Sequence, residues 1–395
     1  MQHTKVSSYR LEYLDWVRGL GAVIMLQGHV FHSFLRPELK SGSAYTLSQF
    51  VGGMPPALFL FLTGVTLAFL MDSTERKGIP PRDRVLQALS RSGYLFFLAF
   101  AFRLQLWVFG LPAPWEGLFK VDVLNCMGFS IALLSVMALF KTSERIRLCA
   151  VLGLAIALAS PVISSMDWSG VPWIIRSYII PDYNAFGIFP WGAYLAFGVS
   201  AGSVIRSIPP DATDRCMQWG ALLGGALILT CQYFANSSFT LYSKSDFWLN
   251  SPAQVLTKVG VLMLMVSLAF VWTRYGAKDG WSWIRQFGVT SLLVYWVHIE
   301  LVYGRALWFL KDSLTVAQTV VAAVCVILLM LAISTMKTHR EKWQTVLSGL
   351  GWNFTPRADS AAGDKEKAFG FVLSAFIRGR MLLSRKTELA ADEHG

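Results

Sequence analysis

The amino-acid sequence predicts an all-α fold, a polytopic integral membrane bundle of about ten transmembrane helices. Hydrophobic residues make up 54% of the 395 and charged residues only 15%. Mean hydropathy is +0.48. Apolar runs of roughly 17 to 25 residues, each long enough to span a bilayer as a helix, recur along almost the whole chain. A soluble chain of this length would instead divide into two or three domains with far more surface charge.

The expected spans are Leu14–Leu35, Phe50–Met71, Gly93–Leu111, Val121–Phe140, Ile146–Ser165, Phe186–Ile205, Cys216–Ala235, Ala253–Thr273, Phe287–Val302 and Leu314–Met336. Three regions follow: a polar segment 1–13, a membrane domain 14–336 and a basic tail 337–395. Basic residues orient the bundle. The connections after even-numbered spans hold Arg76, Lys77, Arg82, Arg84 and Arg91, then Lys141, Arg145 and Arg147, then Arg206 and Arg215, then Arg274, Lys278 and Arg285. Those after odd-numbered spans hold little beyond Lys120, Arg176 and Lys244. The positive-inside rule therefore puts both termini in the cytoplasm of a cell whose plasma (inner) membrane the chain spans. The net charge of +11 is a topology signal and an attraction to anionic lipid, not a mark of nucleic-acid binding. Met1–Tyr13 is polar and the first apolar run lacks a small-residue cleavage site, so that run is expected to stay as an anchor.

Cys126, Cys149, Cys216, Cys231 and Cys325 lie in or beside the spans without metal-ligand spacing, and read as small apolar packing residues. The outer connections Pro112–Glu116, Met166–Trp173 and Ser243–Pro252 mix Trp, Pro and polar groups. Exposed Trp stacks on sugars, and Trp also gathers at membrane interfaces, so both readings stand. In the tail, Ala368–Leu383 has the pattern of a short helix with an apolar face for the inner leaflet.

Arg18 and His29 are the most informative pair. Eleven steps of about 100° make about three turns, so both side chains share a face of the first span, about 16 Å apart along its axis. Ionisable groups inside a bilayer are costly, and their default reading is functional. Arg18 is also three residues from Asp15, within reach of a helical ion pair, and the two roles are compatible.

The run Tyr9-Arg10-Leu11-Glu12-Tyr13-Leu14-Asp15-Trp16-Val17-Arg18-Gly19-Leu20, continuing to Met25 and His29, resembles the opening of the membrane acyltransferases, in which Arg, ten residues and His mark the first helix. Pro55–Gly64 is similar to their second helix. Val121-Asp122-Val123-Leu124-Asn125-Cys126-Met127-Gly128 is similar to the fourth helix of the branch related to heparan-alpha-glucosaminide N-acetyltransferase, and Gly288–His298 resembles a late helix of the same group. Four short motifs in order extend the resemblance over about residues 9 to 336. It takes in the acyltransferase-3 type as well as that branch.

The resemblance implies transfer of an acyl group, usually acetyl, from cytoplasmic acyl-CoA to a hydroxyl or amine of a glycan or similar acceptor on the far side of the membrane. The donor is a co-substrate; no resident cofactor or metal is implied. The residues suit that task. The phosphates of coenzyme A call for cations at the cytoplasmic mouth, where Arg18 and Asp15 stand, and its pantetheine arm is about as long as the distance from Arg18 to His29. Imidazole titrates near neutrality, which fits His29 as general base.

His298 on the ninth span sits about as deep from the cytoplasmic end as His29 does on the first, so the two imidazoles are expected to meet across a cavity. Glu300 is about 200° around the helix from His298 and lies elsewhere. Arg103, with Gln105, is placed near the outer end of the third span, either to hold substrate or an oxyanion or to snorkel. Asp122 and Asn125, one turn apart at the start of the fourth span, either bind the acceptor or cap the helix. The competing class is a proton-coupled transporter, which paired broken helices and an acidic relay would favour.

Overall fold

The computed structural model describes residues 6–183, 185–237, 241–242, 244–276 and 280–339. The expected amphipathic segment of the tail lies outside them. The chain divides into two units, Met1–Leu331 and Ala332–Gly395, and the site lies in the first. Thirteen α-helices follow in order: α1 Val6–Phe34, α2 Gly42–Gly52, α3 Met54–Arg76, α4 Pro81–Phe109, α5 Val123–Leu134, α6 Thr142–Ser165, α7 Trp173–Ile179, α8 Ile188–Ser207, α9 Thr213–Ala235, α10 Pro252–Val271, α11 Trp283–Val289, α12 Ser291–Tyr303 and α13 Val316–Thr338. Outside helices, the described backbone forms two isolated bridges.

Every expected span falls on helix, and the protein is an all-α multi-pass membrane bundle. Among the described residues, six stretches are long and apolar enough to cross a bilayer by themselves: Tyr45–Arg76, Pro81–Phe109, Thr142–Ser165, Ile188–Ser207, Pro252–Gly276 and Val316–Thr338. Val123–Leu139 and Ser291–Tyr303 are shorter apolar helices. The expected count of ten is thus not established by length alone. Two differences have clear causes. The third expected span starts at Gly93, yet α4 starts at Pro81 and carries its arginines inside the helix. Proline is preorganised for a first turn and Asp83 faces the helix's positive end, so the helix continues past the apolar stretch. The ninth expected span is interrupted at Thr290, which ends α11 and starts α12.

Small residues set the packing. A side chain on Gly64 would collide with the Leu195 carbonyl, and one on Gly198 with the Phe61 carbonyl, so α3 and α8 approach backbone to backbone. These two are the most enclosed spans, with 67% and 72% of their apolar windows buried against 17% for α4. At one end of this centre, Asp72 of α3 pairs with Arg206 at 2.6 Å and Arg76 at 2.9 Å. Glu75 pairs with the fully buried Arg145 of α6 at 3.0 Å. The ends of α3, α6 and α8 are thereby clamped together.

The same device locks α1 against α11. A methyl group on Gly19 would fall on the Ile284 carbonyl, and one on Gly288 on the Asp15 carbonyl. Glu12 and Arg285 close the contact with a 3.0 Å ion pair. Because α12 continues from α11, this contact fixes the depth of α12 beside α1. At the far end, Asp312 donates its backbone N–H to Ser33 O at 3.0 Å and Leu314 donates to Phe34 O at 2.9 Å, which ties the exit of α1 to the chain after α12. The connections at this end are also joined. The Tyr183 hydroxyl donates to Asp246 at 2.7 Å, and that hydrogen bond pushes the phenol up to about 12.

Gly288→Ala is expected to destabilise the purified protein by about 1–3 kcal/mol, since overpacking a filled contact costs that much. Gly225→Ala, which opens onto free space, is expected to leave stability within about 0.5 kcal/mol. Paired thermal melts in one detergent check both.

Candidate active site

The site forms where α1 and α12 run side by side. His29 Nδ1 lies 2.8 Å from His298 Nε2. One turn further along, Ser33 Oγ donates to Val302 O at 3.0 Å. Both contacts join residues 269 positions apart, so the helices are parallel and in register. His29 and His298 are also each five residues from the ends of their helices, Phe34 and Tyr303. The imidazoles do not face each other across a cavity, as the sequence suggested; they are hydrogen-bonded directly. Their planes lie 17° apart with centroids 5.1 Å apart. A 2.8 Å nitrogen separation is shorter than any face-to-face stack, so the rings meet edge to edge.

This geometry fixes the protons. His298 is fully buried, and its Nδ1 is 2.7 Å from Val294 O. A carbonyl only accepts, so Nδ1 carries the proton and, in the neutral ring, Nε2 is left as an acceptor. His29 must then donate from Nδ1 to His298 Nε2. Its own Nε2 is left as a lone pair. The relay from His29 through His298 to the Val294 carbonyl thus makes a base of one particular atom, His29 Nε2. His29 is half-buried, and the Tyr303 ring stands edge-on to it at 5.3 Å between centroids. The Tyr303 hydroxyl meets His32 Nδ1 at 3.2 Å.

Behind His298 the wall is aromatic and charged. Tyr295 lies 6.0 Å from the His298 ring and 5.3 Å from Phe102 of α4. Trp296 Nε1 donates to Gln105 Oε1 at 2.6 Å, which fixes α12 to α4. Arg103, on the same stretch of α4, forms a 3.2 Å ion pair with the buried Asp122 and therefore points inward instead of snorkelling. Asp122 Oδ1 accepts from the backbone N–H of Leu124 at 2.9 Å and of Asn125 at 3.1 Å. Asn125 Oδ1 accepts from Asp122 N in return and its Nδ2 donates to the Tyr178 hydroxyl at 3.1 Å. The capping reading of Asp122 and Asn125 is the geometry found. Glu300 is also buried on α12.

Arg18 and Asp15 form the helical ion pair, at 2.7 Å. About three turns separate them from His29. Arg91 of α4, which positive-inside counting absorbed as a topology charge, lies within electrostatic reach of Arg18 and donates from Nη2 to Thr66 Oγ1 at 2.9 Å. Lys258, a lone charge inside the apolar eighth span, was passed over as well. It is buried, and its Nζ donates to the Gly53 carbonyl at 3.3 Å. A single cation within an apolar run was the signal that marked it. An apolar groove of about 520 Å³ between α9 and α10, lined in part by Met217, Val261 and Leu264, contains none of these groups.

In ¹⁵N spectra of histidine-labelled protein, His29 and His298 are both expected as Nδ1–H tautomers, the form the relay requires. Assignment uses the single His→Gln variants. Nε2–H at both positions would contradict the relay.

Residues 10–245 match the family model described as heparan-alpha-glucosaminide N-acetyltransferase, catalytic. Arg18, His29, Arg103, Asp122 and Asn125 fall within the match, and Lys258 and His298 lie beyond it. The match is to that branch and does not extend to the acyltransferase-3 type. Among curated proteins, none matches the chain in sequence. The matched model covers more than half of the chain, which belongs to the heparan-alpha-glucosaminide N-acetyltransferase catalytic family, a family of membrane acetyltransferase-type enzymes.

Proposed function

We propose that this protein transfers an acetyl group from cytoplasmic acetyl-CoA to a hydroxyl or amine of a glycan-type acceptor on the opposite face of the membrane. The observation that carries the proposal is the relay, which leaves His29 Nε2 as a lone pair in a family of acetyltransferases. In this reading His29 Nε2 takes the proton of the acceptor as its oxygen or nitrogen attacks the thioester carbonyl. The tetrahedral intermediate collapses with cleavage of the C–S bond, and the departing thiolate takes the proton back from His29. His298 is a positioning residue: it holds the tautomer of His29 and shares the positive charge that appears during transfer.

Arg18 grips the donor at the cytoplasmic mouth, with Asp15 orienting its guanidinium. The ion pair uses one edge of the planar fork and leaves further N–H donors for a phosphate. Arg103, Asp122 and Asn125 serve the acceptor side by shaping the wall behind Tyr295. The uneven distribution of basic residues supports cytoplasmic termini and insertion in the plasma (inner) membrane, with lipid as the surrounding partner. The interruption at Thr290 is the feature that favours a transporter, since broken helices line many transport sites. Family membership favours chemistry.

His29→Ala is expected to lower acetyl transfer by about two to four orders of magnitude while acetyl-CoA binding persists. Arg18→Ala is expected to weaken acetyl-CoA binding, and Lys at that position to restore little of it, because a point charge lacks the planar fork. Calorimetric titration with acetyl-CoA and a product assay by mass spectrometry read both. Wild-type turnover by His29→Ala, or a folded wild type that does not bind acetyl-CoA, overturns the reading and returns the transporter.

A further inference from the structure

A buried cation in a membrane span is retained only where something compensates it. Lys258 of α10 is 6% exposed. Its Nζ donates to Gly53 O at 3.3 Å and stands 5.4 Å from the centroid of the Trp191 ring. Those are its contacts among the described residues. No carboxylate pairs with it there, whereas Arg18, Arg103, Arg145, Arg206, Arg274 and Arg285 each have one. An ammonium has three N–H donors, and the carbonyl takes one of them. Close by, the amide Nε2 of Gln49 is buried without a hydrogen-bond partner. Gln49 belongs to the same turn, since Gly53 N donates to Gln49 O at 2.8 Å. Both groups thus carry N–H donors that no described residue uses.

This cluster lies at the level of the active site. A methyl group on Gly28, beside His29, would come within 3.1 Å of Gly52 Cα, so the Gly52–Gly53 turn packs on α1 next to the catalytic position. Aromatic rings flank it. Trp248 packs against Phe50 at 6.3 Å, and its carbonyl accepts from Gln254 Nε2 at 3.1 Å one turn before Lys258. Trp248 is 45% exposed and Trp191 partly so. A cation, an unpaired amide and an exposed indole are together the chemistry of an acidic sugar: the Trp248 ring takes the apolar face and the two donors take its anionic group.

We propose that Lys258, with Gln49, binds an anionic group, carboxylate or phosphate, carried by the acceptor sugar, and so sets acceptor specificity. The inference rests on the acetyl-transfer reading only for the identity of the ligand as acceptor; binding itself needs no turnover.

The test is binding of three probes to the full-length purified protein without acetyl-CoA: methyl β-D-glucuronide, glucose 1-phosphate and the neutral methyl β-D-glucoside. The wild type is expected to bind at least one anionic probe tenfold or more tighter than the glucoside, and the one that binds names the anion. Lys258→Gln keeps a donor for Gly53 O and is expected to abolish the preference; Lys258→Arg is expected to keep it. Because the probes are titrated without acetyl-CoA, the outcome does not depend on turnover, and failure of acetyl transfer is distinguishable from failure of anion binding. No preference in the wild type overturns the proposal. So does a preference that survives in Lys258→Gln, and so does a Gln variant that melts lower yet discriminates as before, the behaviour of a lysine that only caps α2.

Discussion

The parallel, in-register packing of α1 on α12 is the constraint on which the rest depends. Two helices far apart in sequence must arrive at the same depth within a fraction of a turn, because a hydrogen bond between ring nitrogens tolerates little axial error. Three contacts provide that. At one end the interlocked Gly19 and Gly288 bring backbones together, so no intervening side chain adjusts the height. One turn beyond the histidines, Ser33 and Val302 repeat the spacing of the pair. At the other end the backbone bonds of Ser33 and Phe34 to the segment after α12 close the pair. The shared 269-residue offset is the result.

The relay is equally a matter of satisfying polar groups in an apolar bundle. A buried imidazole left unpaired costs on the order of 1–3 kcal/mol, and more in hydrocarbon. Here each ring nitrogen inside the bundle is used once, and the chain of bonds ends on a backbone carbonyl within the helix. The single nitrogen it leaves is the one that chemistry needs. The wall behind follows the same rule: Arg103 is neutralised by Asp122, and Asp122 in turn is held by the first turn of α5. Lys258 has no such carboxylate among the described residues and is compensated by a backbone carbonyl and the Trp191 ring instead.

Much of this was legible in the sequence. Apolar runs gave the helices, because length and composition alone decide what a bilayer accepts. Counting residues from the cytoplasmic ends brought His29 and His298 to one depth, since helical rise is constant. What sequence could not give were partners on other helices. Arg103 meets Asp122, and Arg91 meets Thr66, only after folding. The break at Thr290 has no Pro or Gly at the break itself to announce it. Lys258 was visible as a charge in an apolar run, but its significance depends on the absence of a carboxylate partner among the described residues, which is a property of the folded bundle.

The central claim is that the two imidazoles act as one unit in acetyl transfer. A double-mutant cycle on the single-turnover rate, using His29→Ala, His298→Ala and the pair, measures that coupling directly. The account predicts that the double variant is no slower than His29→Ala alone, because His298 acts only through His29. Losses that multiply in the double variant would show independent roles and contradict the relay.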